Sequence, residues 1–263
     1  MNTLLKRLTY LFLPVLLLSG CSDDPVSDIT PEPEPEPEVE LVEIPDEKLL
    51  AQIRLALEIE DDVDITEELM LDLVELNINA SDDFSGDVSG ISDLTGLEYA
   101  LNLEFLRLSY TEVTDLSPIS GLEKIEYLRF NNTAITDISP ISNFTNLTYF
   151  NANTVTGLTD ISPLAGNDNL QEVILRRVPF GNAGMSTLRE LTSLYRINMR
   201  STGVTDITVL GEMMAEGALL DSTPGAEEAG GATLDLRQLD VDDWSPIEPY
   251  LDQISNLDGY PAN

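Results

Sequence analysis

Histidine is absent from this chain of 263 residues, and cysteine and tryptophan occur once each. Without histidine, neither a serine–histidine catalytic pair nor a histidine-ligated metal site can form. Basic residues are also scarce, since 13 lysines and arginines stand against 48 aspartates and glutamates, for a formal net charge of −35. A surface of this sign repels nucleic acid and anionic lipid headgroups, so we expect no nucleic-acid partner.

The chain also lacks the motifs of common enzymes. The glycines of "GAEEAGGA" (225–232) have no strand–loop–helix context for a nucleotide site. A carboxylate pair could in principle hydrolyse sugars, but acidic residues are so abundant that such pairs arise by chance. We therefore expect no enzyme and no cofactor.

Two acidic segments supply oxygen atoms that calcium could use. They are "EIEDDVD" (58–64) and "SDDFSGD" (81–87), and neither has the spacing of an EF-hand. Solvated acidic loops are the favoured interpretation, so no metal site is expected, and a calcium-dependent rise in melting temperature would favour the alternative.

Residues 1–20 have the pattern of a targeting segment. Lys6 and Arg7 precede an apolar run, Leu8–Leu18, that is too short to span a bilayer and ends in "LSGC". "LSGC" resembles the bacterial lipoprotein box, which implies cleavage before Cys21 and membrane attachment through lipid on that cysteine. The alternative is an ordinary secretory peptide that is cleaved nearby.

Acylation of Cys21 would leave no thiol for a disulfide, because it is the single cysteine. The run "CSDD" resembles lipoproteins that are sent to the bacterial outer membrane and displayed on the cell surface. Residues 21–44 contain "PEPEPEPE", in which proline and like charges favour an extended acidic linker.

Internal repeats dominate the rest of the sequence. "TEVTDLSPIS" (111–120) returns as "TAITDISPIS" (133–142) and "TGLTDISPLA" (156–165). Each repeat has apolar residues at its first, fourth and sixth positions and another near the eleventh. The first positions are Leu103, Ile125, Leu147, Leu170 and Leu194. This spacing predicts a short strand and a return segment in every coil, stacked so that neighbouring coils bury each other's apolar side.

The 22-residue unit with "TDISPL" returns resembles the internalin type of bacterial leucine-rich repeat over roughly residues 45–255. We therefore predict an α/β leucine-rich-repeat solenoid with a curved parallel sheet on the concave face and short helical turns on the convex face. Each Ser-Pro pair, as at Ser139 and Pro140, predicts a helical turn that the serine side chain caps. The ninth position, usually asparagine in that family, is threonine or valine here: Thr111, Thr133, Val155, Val178 and Thr202.

Both ends of a solenoid need caps. "IPDEKLLAQIRLALE" predicts an amphipathic helix with Asp46 as its N-cap, and Thr66 predicts the start of a second. Residues 45–78 are thus a helical N-terminal cap with a first strand, and residues 79–255 are repeats with an insertion near 211–231. Residues 256–263 form a C-terminal tail, and Trp244 is expected to cover the open edge.

The third, fifth and seventh positions of each repeat should line the concave face. Six arginines fall there, although only 11 basic residues follow Cys21. Arginine and aromatic residues are enriched at binding sites. The candidate ligand-binding residues are Phe105, Arg107, Tyr127, Arg129, Asn131, Tyr149, Asn151, Arg176, Arg196 and Arg200.

We predict a lipid-anchored envelope protein whose concave face binds a partner, either a protein or an acidic polysaccharide. The internalin resemblance implies adhesion or protein–protein interaction. A second hypothesis is a structural or assembly component of the envelope with no soluble ligand. The aromatic residues and arginines would then only stabilise the sheet, by cross-strand packing and by neutralising Glu104, Glu126, Glu172 and Asp235. We expect a monomer.

Overall fold

The computed structural model describes residues 40–79, 88 and 90–261. The predicted signal peptide, Cys21, most of the acidic linker and the acidic segment 81–87 lie outside these residues. The strands are β1 (Glu75–Asn79), β2 (Phe105–Ser109), β3 (Tyr127–Arg129), β4 (Tyr149–Asn151), β5 (Glu172–Ile174), β6 (Arg196–Asn198), β7 (Thr233–Asp235) and β8 (Asn256–Asp258). The α-helices are α1 (Glu47–Ala56), α2 (Glu67–Met70), α3 (Met185–Arg189) and α4 (Thr208–Ala215). Short 3₁₀ helices cover Leu97–Tyr99, Ser117–Ile119, Ser139–Ile141, Ser162–Leu164, Asn182–Gly184 and Glu248–Gln253.

The described strands form one parallel sheet of eight, ordered β1 to β8 as in the sequence. Each strand pairs with the next without a shift, so Leu106 lies beside Leu128 and Leu128 beside Phe150. These fourth-position side chains are fully buried, as are the leading residues Leu103 and Ile125. The predicted leucine-rich-repeat solenoid is confirmed: one continuous core runs between the sheet and the helical turns because every coil covers its neighbour.

Three of the Ser-Pro pairs begin a 3₁₀ helix as predicted, whereas after Ser245 and Pro246 the helix begins only at Glu248, and the capping differs from the prediction. Serine is the first residue of the 3₁₀ helix, and its own backbone N–H is the donor. Asp115 Oδ1 accepts from the Ser117 amide at 2.8 Å, and Ser117 Oγ donates to Asp115 Oδ2 at 2.8 Å. Asp137 repeats this arrangement with Ser139. The aspartate of "TDISP" is therefore the cap, because its carboxylate reaches a free amide two residues ahead.

The ninth-position threonines bond to the backbone of their own coil. Thr133 Oγ1 donates to the Phe130 carbonyl at 2.8 Å, and Thr111 and Thr202 bond in the same way to carbonyls three residues earlier. The valines of the intervening coils, Val155 and Val178, are fully buried and only pack. This difference agrees with the donor capacity of the two side chains.

An asparagine ladder lies at a position that sequence analysis missed, directly before the leading apolar residue of a coil. Asn146 Nδ2 donates to the Glu123 carbonyl of the preceding coil at 2.9 Å, and Asn169 Nδ2 donates to the Thr145 carbonyl at 2.7 Å. Asn102 makes the equivalent bond to Leu71 at 2.7 Å. The recurring "NL" at these positions was the available signal.

The N-terminal cap forms as predicted and begins earlier. Asp46 accepts from the amides of Lys48 and Leu49 at 3.0 and 3.1 Å, and Thr66 Oγ1 accepts from the Leu69 amide at 3.1 Å. Residues 40–44, assigned to the linker by their acidity, belong to the fold. The Val42 amide donates to the Ile65 carbonyl at 2.9 Å, and Ile44 is buried in the core.

The insertion after β6 consists of α4 and a series of turns that reach 232. The Leu219 amide donates to the Leu194 carbonyl at 2.6 Å, which ties these turns to the sixth coil. At the C-terminal end, residues 256–258 were predicted as tail and instead form β8, because "NLD" places Leu257 beside Leu234 in register. Trp244 packs against the end of the core and meets Tyr260 edge-on, with ring centroids 5.4 Å apart. Among the described residues, no helix is long and apolar enough to cross a membrane.

Candidate ligand-binding face

The sheet brings the predicted ligand-binding residues onto one face. The third position holds Phe105, Tyr127, Tyr149, Glu172 and Arg196 as direct neighbours on β2 to β6. The fifth position holds Arg107, Arg129, Asn151, Ile174 and Asn198 on the same strands. Because side chains alternate along a strand, both rows point away from the buried fourth position. We call this surface the concave face.

Three aromatic rings stack in a row along β2, β3 and β4. Phe105 and Tyr127 have ring centroids 4.1 Å apart and planes inclined by 11°. Tyr127 and Tyr149 are 4.2 Å apart with planes inclined by 3°. We call these three residues the aromatic ladder. Each ring is half-buried, and the two faces of the middle ring are covered by its neighbours.

Polar side chains hold the residues beside the aromatic ladder in place. Asn131 Oδ1 accepts from Ser109 Oγ at 2.7 Å and also from Nε of Arg129. Asn131 is itself almost fully buried, with 1% of its surface exposed. The Arg129 guanidinium is thereby oriented by a rigid amide on its own strand end, which lowers the entropy that a ligand contact would cost.

The Tyr149 hydroxyl accepts from Asn151 Nδ2 at 2.8 Å. Burial raises the pKa of Tyr149 above its ordinary value and outweighs the opposing effect of the Asn151 hydrogen bond. The phenol therefore stays neutral at physiological pH and can still donate its proton. The end of the aromatic ladder nearest β5 is thus a hydrogen-bond donor held in a fixed position.

The other end of the concave face, from β5 to β8, is occupied by internal ion pairs. Arg196 Nη1 lies 3.1 Å from Glu172 Oε2, and Arg237 Nη2 lies 2.8 Å from Asp235 Oδ2 and 3.4 Å from Asp258 Oδ2. Burial acts to raise the pKa of Asp235, but the hydrogen bonds and charge of Arg237 lower it overall. The same contacts raise the pKa of Arg237. Two of the expected neutralising pairs, those of Glu172 and Asp235, are therefore present.

Arg176 and Arg200 occupy the seventh position on neighbouring coils, at the end of β5 and of β6. Arg200 Nε donates to Gln238 Oε1 at 3.1 Å, which is a neutral partner. Arg176 Nε is buried and has no acceptor among the described residues. Of the predicted arginines, Arg196 is thus engaged by a carboxylate, while Arg129 and Arg200 bond to amides.

The eighth position of each coil was missing from the sequence-based set. It has positive φ in successive coils, for example 63° at Tyr110 and 63° at Arg177. This conformation ends the strand and turns the chain towards the rim of the concave face, where Tyr110 and Arg177 are exposed. The signal was hidden because the residues at this position differ from coil to coil: Tyr110, Asn132, Thr154, Arg177, Ser201 and Gln238.

Beyond β2 the concave face continues into an open depression where α1 meets β1. Leu55, Ala56, Glu75 and Asn77 contribute to its lining. Leu55 is 62% exposed although it is a large apolar residue. It does not belong to the buried apolar face of the amphipathic helix α1. No group of three or more carboxylate, cysteine or histidine side chains within the described residues is arranged to hold a metal ion.

Comparisons with known proteins agree with this architecture. The profile of the family described as Leucine Rich repeats (2 copies) matches residues 101–143 and 123–166. No curated protein matches the chain. The residues that the family profile matches comprise the coils that carry β2, β3 and β4, and hence the aromatic ladder.

Solved structures extend the comparison beyond these coils. The chain is similar to internalin C2 from Listeria monocytogenes, with a TM-score of 0.65 and 24% identity over 77% of this chain and 79% of that chain. It also matches an internalin (inlF) from the same organism, with a TM-score of 0.47 and 24% identity over 82% of this chain and 69% of that one. The first similarity shows the fold: an internalin-like leucine-rich-repeat solenoid.

Proposed function

We propose that this solenoid binds a protein partner carrying acidic groups, and that the concave face around the aromatic ladder makes the contact. The observation that carries the proposal is a continuous row of three aromatic rings flanked by Arg107 and Arg129 in a chain whose net charge is −35. Aromatic and arginine side chains contribute most of the free energy at protein interfaces. Few arginines are available to this chain, and they concentrate on this face.

The stacking favours a protein over a polysaccharide. Sugars bind aromatic residues by lying flat on a ring face, but both faces of Tyr127 are covered by Phe105 and Tyr149 at about the contact distance of stacked rings. The ladder is thus a ridge of ring edges, and the only ring faces that its own stacking leaves uncovered are the outer faces of Phe105 and Tyr149. Such a ridge suits an apolar groove of a protein surface, with acidic side chains placed to meet Arg107 and Arg129.

Rigidity supports a binding role for the same residues. Asn131 orients Arg129, and Asn151 positions the Tyr149 hydroxyl at 2.8 Å. A surface that is ordered before binding loses little conformational entropy in the complex. The rest of the chain is acidic and would repel an acidic partner, whereas the arginines of the concave face would attract it. This contrast would orient the partner as it approaches.

The test is capture of a partner by the chain from Glu40 onward, followed by affinity measurements with variants. The double variant Tyr127→Ala/Arg129→Gln should weaken the complex by about 2 kcal/mol or more, since both side chains lie near the centre of the face. Tyr127→Phe keeps the ring and should retain most of the affinity. Arg189→Gln removes one equal charge from α3, where Arg189 pairs with Glu212 at 2.7 Å, and should leave binding unchanged.

Unchanged binding by Y127A/R129Q would exclude the concave face as the site. Binding of an acidic polysaccharide such as polygalacturonate with the same dependence on Tyr127 would replace the protein partner by a glycan. Loss of binding on Arg189→Gln to the same extent would point to a general charge effect.

For the cellular location, the proposal is a bacterial outer-membrane lipoprotein, anchored by lipid on Cys21 and displayed on the cell surface. It is supported by "LSGC" and by the acidic linker that follows. Cys21→Ser should release the chain from the membrane fraction, and protease added to intact cells should remove the solenoid from the wild-type protein. Membrane retention of C21S contradicts the lipid anchor, and full protection from protease contradicts surface display.

The alternative role, a structural or assembly component of the envelope, is favoured by the ion pairs of β5 to β8. There, Arg196 forms an ion pair with Glu172, and Arg237 forms one with Asp235, so both arginines neutralise carboxylates of their own sheet. If all the arginines acted in this way, Tyr127→Ala/Arg129→Gln would lower the free energy of unfolding and have no further effect. Protection of the domain in the protease experiment would support this role.

A further inference from the structure

The arginines of the described residues differ in what their side chains meet. Arg189, Arg196 and Arg237 each contact a carboxylate, at 2.7, 3.1 and 2.8 Å. Among the same described residues, the side chains of Arg176 and Arg177 have neither an ion pair nor a hydrogen bond, and Arg200 Nε donates to the amide oxygen of Gln238. Arg176, Arg177 and Arg200 thus show no carboxylate partner within the described residues, although the chain has 48 acidic residues.

These three arginines lie together where β5 and β6 end. The Arg177 amide donates to the Arg200 carbonyl at 2.9 Å, which places the two strand ends side by side. Arg176 and Arg200 share the seventh position of adjacent coils, so their backbones are separated by about 4.8 Å, the spacing of paired strands. Long side chains at that separation can reach a single oxyanion.

No acidic side chain of the sheet stands among them. On β5 the fifth position next to Arg176 is Ile174, and the seventh position of the preceding coil is Asn153. The nearest carboxylate of the sheet is Asp235 on β7, which pairs with β6, and the charge of Arg200 is one of the causes that lower its pKa. Both oxygens of Asp235 already accept hydrogen bonds. Oδ1 accepts from Arg237 Nε at 2.8 Å, and Oδ2 accepts from Arg237 Nη2 at 2.8 Å and Asn198 Nδ2 at 3.0 Å.

Arg176 supplies the second line of support. Its Nε is buried and has no acceptor within the described part of the chain. A buried donor without a partner is unfavourable, whereas guanidinium groups bind carboxylate and sulfate oxygens through paired hydrogen bonds. An oxyanion would meet the solvent-facing part of the half-buried Arg176 side chain and bring opposite charge between Arg176, Arg177 and Arg200.

We propose that Arg176, Arg177 and Arg200 form an anion-binding subsite that takes a carboxylate or sulfate group. It lies at the rim of the concave face, displaced along the solenoid from the aromatic ladder. The natural source of the anion rests on the proposed function, being an acidic or sulfated side chain of the protein partner. The subsite itself is a property of this chain and is testable without that partner.

The experiment titrates the full-length chain with sodium sulfate and, separately, with sodium glutarate, at constant ionic strength balanced by sodium chloride. The Nε–Hε signals of the arginines are followed by ¹H–¹⁵N NMR. We expect saturable shifts at Arg176, Arg177 and Arg200 with at least one of the two anions. Saturation by glutarate alone assigns the subsite to carboxylates, and saturation by sulfate alone assigns it to sulfate groups.

The variant Arg177→Gln/Arg200→Gln should weaken binding of the effective anion about tenfold or more, because hydrogen bonds to charged groups are lost. Arg189→Gln removes a charge on α3 that is already paired with Glu212 and should leave it unchanged. Equal, unsaturable shifts at all arginines, or wild-type affinity in R177Q/R200Q, would overturn the proposal. Circular dichroism confirms that each variant is folded.

The two proposals fail separately. Tyr127→Ala should leave sulfate and glutarate binding intact, since Tyr127 lies on β3, which pairs with β2 and β4 and not with the subsite strands β5 and β6. A chain that binds the small anions but no protein partner would refute the proposed function alone. A chain that binds its partner identically with and without Arg177 and Arg200, and binds neither anion, would refute the subsite alone.

Discussion

At the scale of single residues, the coil is held by short polar bonds that repeat along the solenoid. An aspartate bonds to the amide two residues ahead and opens each helical turn, as Asp160 does with Ser162 at 2.8 Å. A ninth-position threonine such as Thr133 then closes the strand end by donating to a carbonyl of its own coil. Both bonds are local to one coil, whereas the sheet and the asparagine ladder join each coil to its neighbours.

The threonine bond leads to a paired prediction. Thr133→Val should lower the free energy of unfolding by about 1 kcal/mol, because the Phe130 carbonyl loses a buried donor. Val155→Thr should be close to neutral, since a hydroxyl there can donate to the Ala152 carbonyl three residues earlier. Chemical denaturation measures both. A loss of several kcal/mol in V155T would show that its coil cannot accept the hydroxyl.

The aspartate caps predict a dependence on pH. Hydrogen bonds from the Ser117 amide and hydroxyl lower the pKa of Asp115. An aspartate whose pKa is lower when folded stabilises the protein above its unfolded pKa of about 4, and this contribution is lost as the pH falls through the lower folded value. Asp115→Asn keeps an acceptor but has no charge to titrate.

The D115N variant should therefore be slightly less stable than the wild type at pH 7 and equally stable once the pH is well below the folded pKa of Asp115. Denaturant midpoints at several pH values measure the difference. Asp72→Asn removes an equal exposed charge that caps no helix and serves as the control. A constant difference at every pH would contradict the assigned role of Asp115.

At the scale of elements, the N-terminal cap is joined to the first coil through one carboxylate. Asp46 Oδ1 caps α1, while its Oδ2 accepts from the Ser92 amide at 3.0 Å and from the Asp93 amide at 3.4 Å. Burial acts to raise the pKa of Asp46, but the backbone donors outweigh it and lower the pKa. We therefore expect α1 and the segment around Ser92 to unfold together.

Asp46→Ala should lower the stability of the cap by about 1–2 kcal/mol, the usual range for loss of an N-cap. Because Asp46 also bonds to Ser92, amide hydrogen exchange should accelerate both in α1 and around residues 91–97. Asp46→Asn retains one acceptor oxygen, which can serve either α1 or the amides of Ser92 and Asp93, and should lie between the wild type and D46A. Faster exchange confined to α1 would show that the bond to Ser92 does not couple the two elements.

At the scale of the whole molecule, like charges oppose the compact state. The chain has a formal net charge of −35, and this excess of negative charge creates self-repulsion, of which the described ion pairs neutralise a small part. The core compensates by running uninterrupted through all coils, with Phe130 and Phe150 meeting edge-on at 5.4 Å between two of them. Stability should therefore depend on the ionic strength.

Raising sodium chloride from about 0.01 M to 0.5 M should increase the melting temperature, because the screening length falls from about 30 Å to a few ångströms. Each kcal/mol gained corresponds to about 2–4 °C for a domain of this size. Differential scanning calorimetry measures the change. A melting temperature that falls with added salt would mean that attractive pairs outweigh the repulsion.

The predictability of the fold and of the site differ for a physical reason. Buried positions follow a simple period, so the residues from Leu103 to Met199 that were expected inside are inside, and the faces of β2 to β6 follow by alternation. Capping depends on which polar side chain reaches a free amide, and "DISP" offers both aspartate and serine. The cap was therefore assigned wrongly to serine, and Arg177 was missed because the left-handed turn at the eighth position has no fixed residue type.

The sequence by itself determined the repeat, the inward apolar residues and the row of aromatic residues and arginines, because each of these is a local pattern copied from coil to coil. Only the tertiary structure decided where the fold begins and ends, since Ile44 and Leu257 are buried or half-buried by contacts with distant residues. It also decided which arginines are neutralised. Arg196 lies beside Glu172 and Arg237 beside Asp258 only because strands far apart in sequence pair in register.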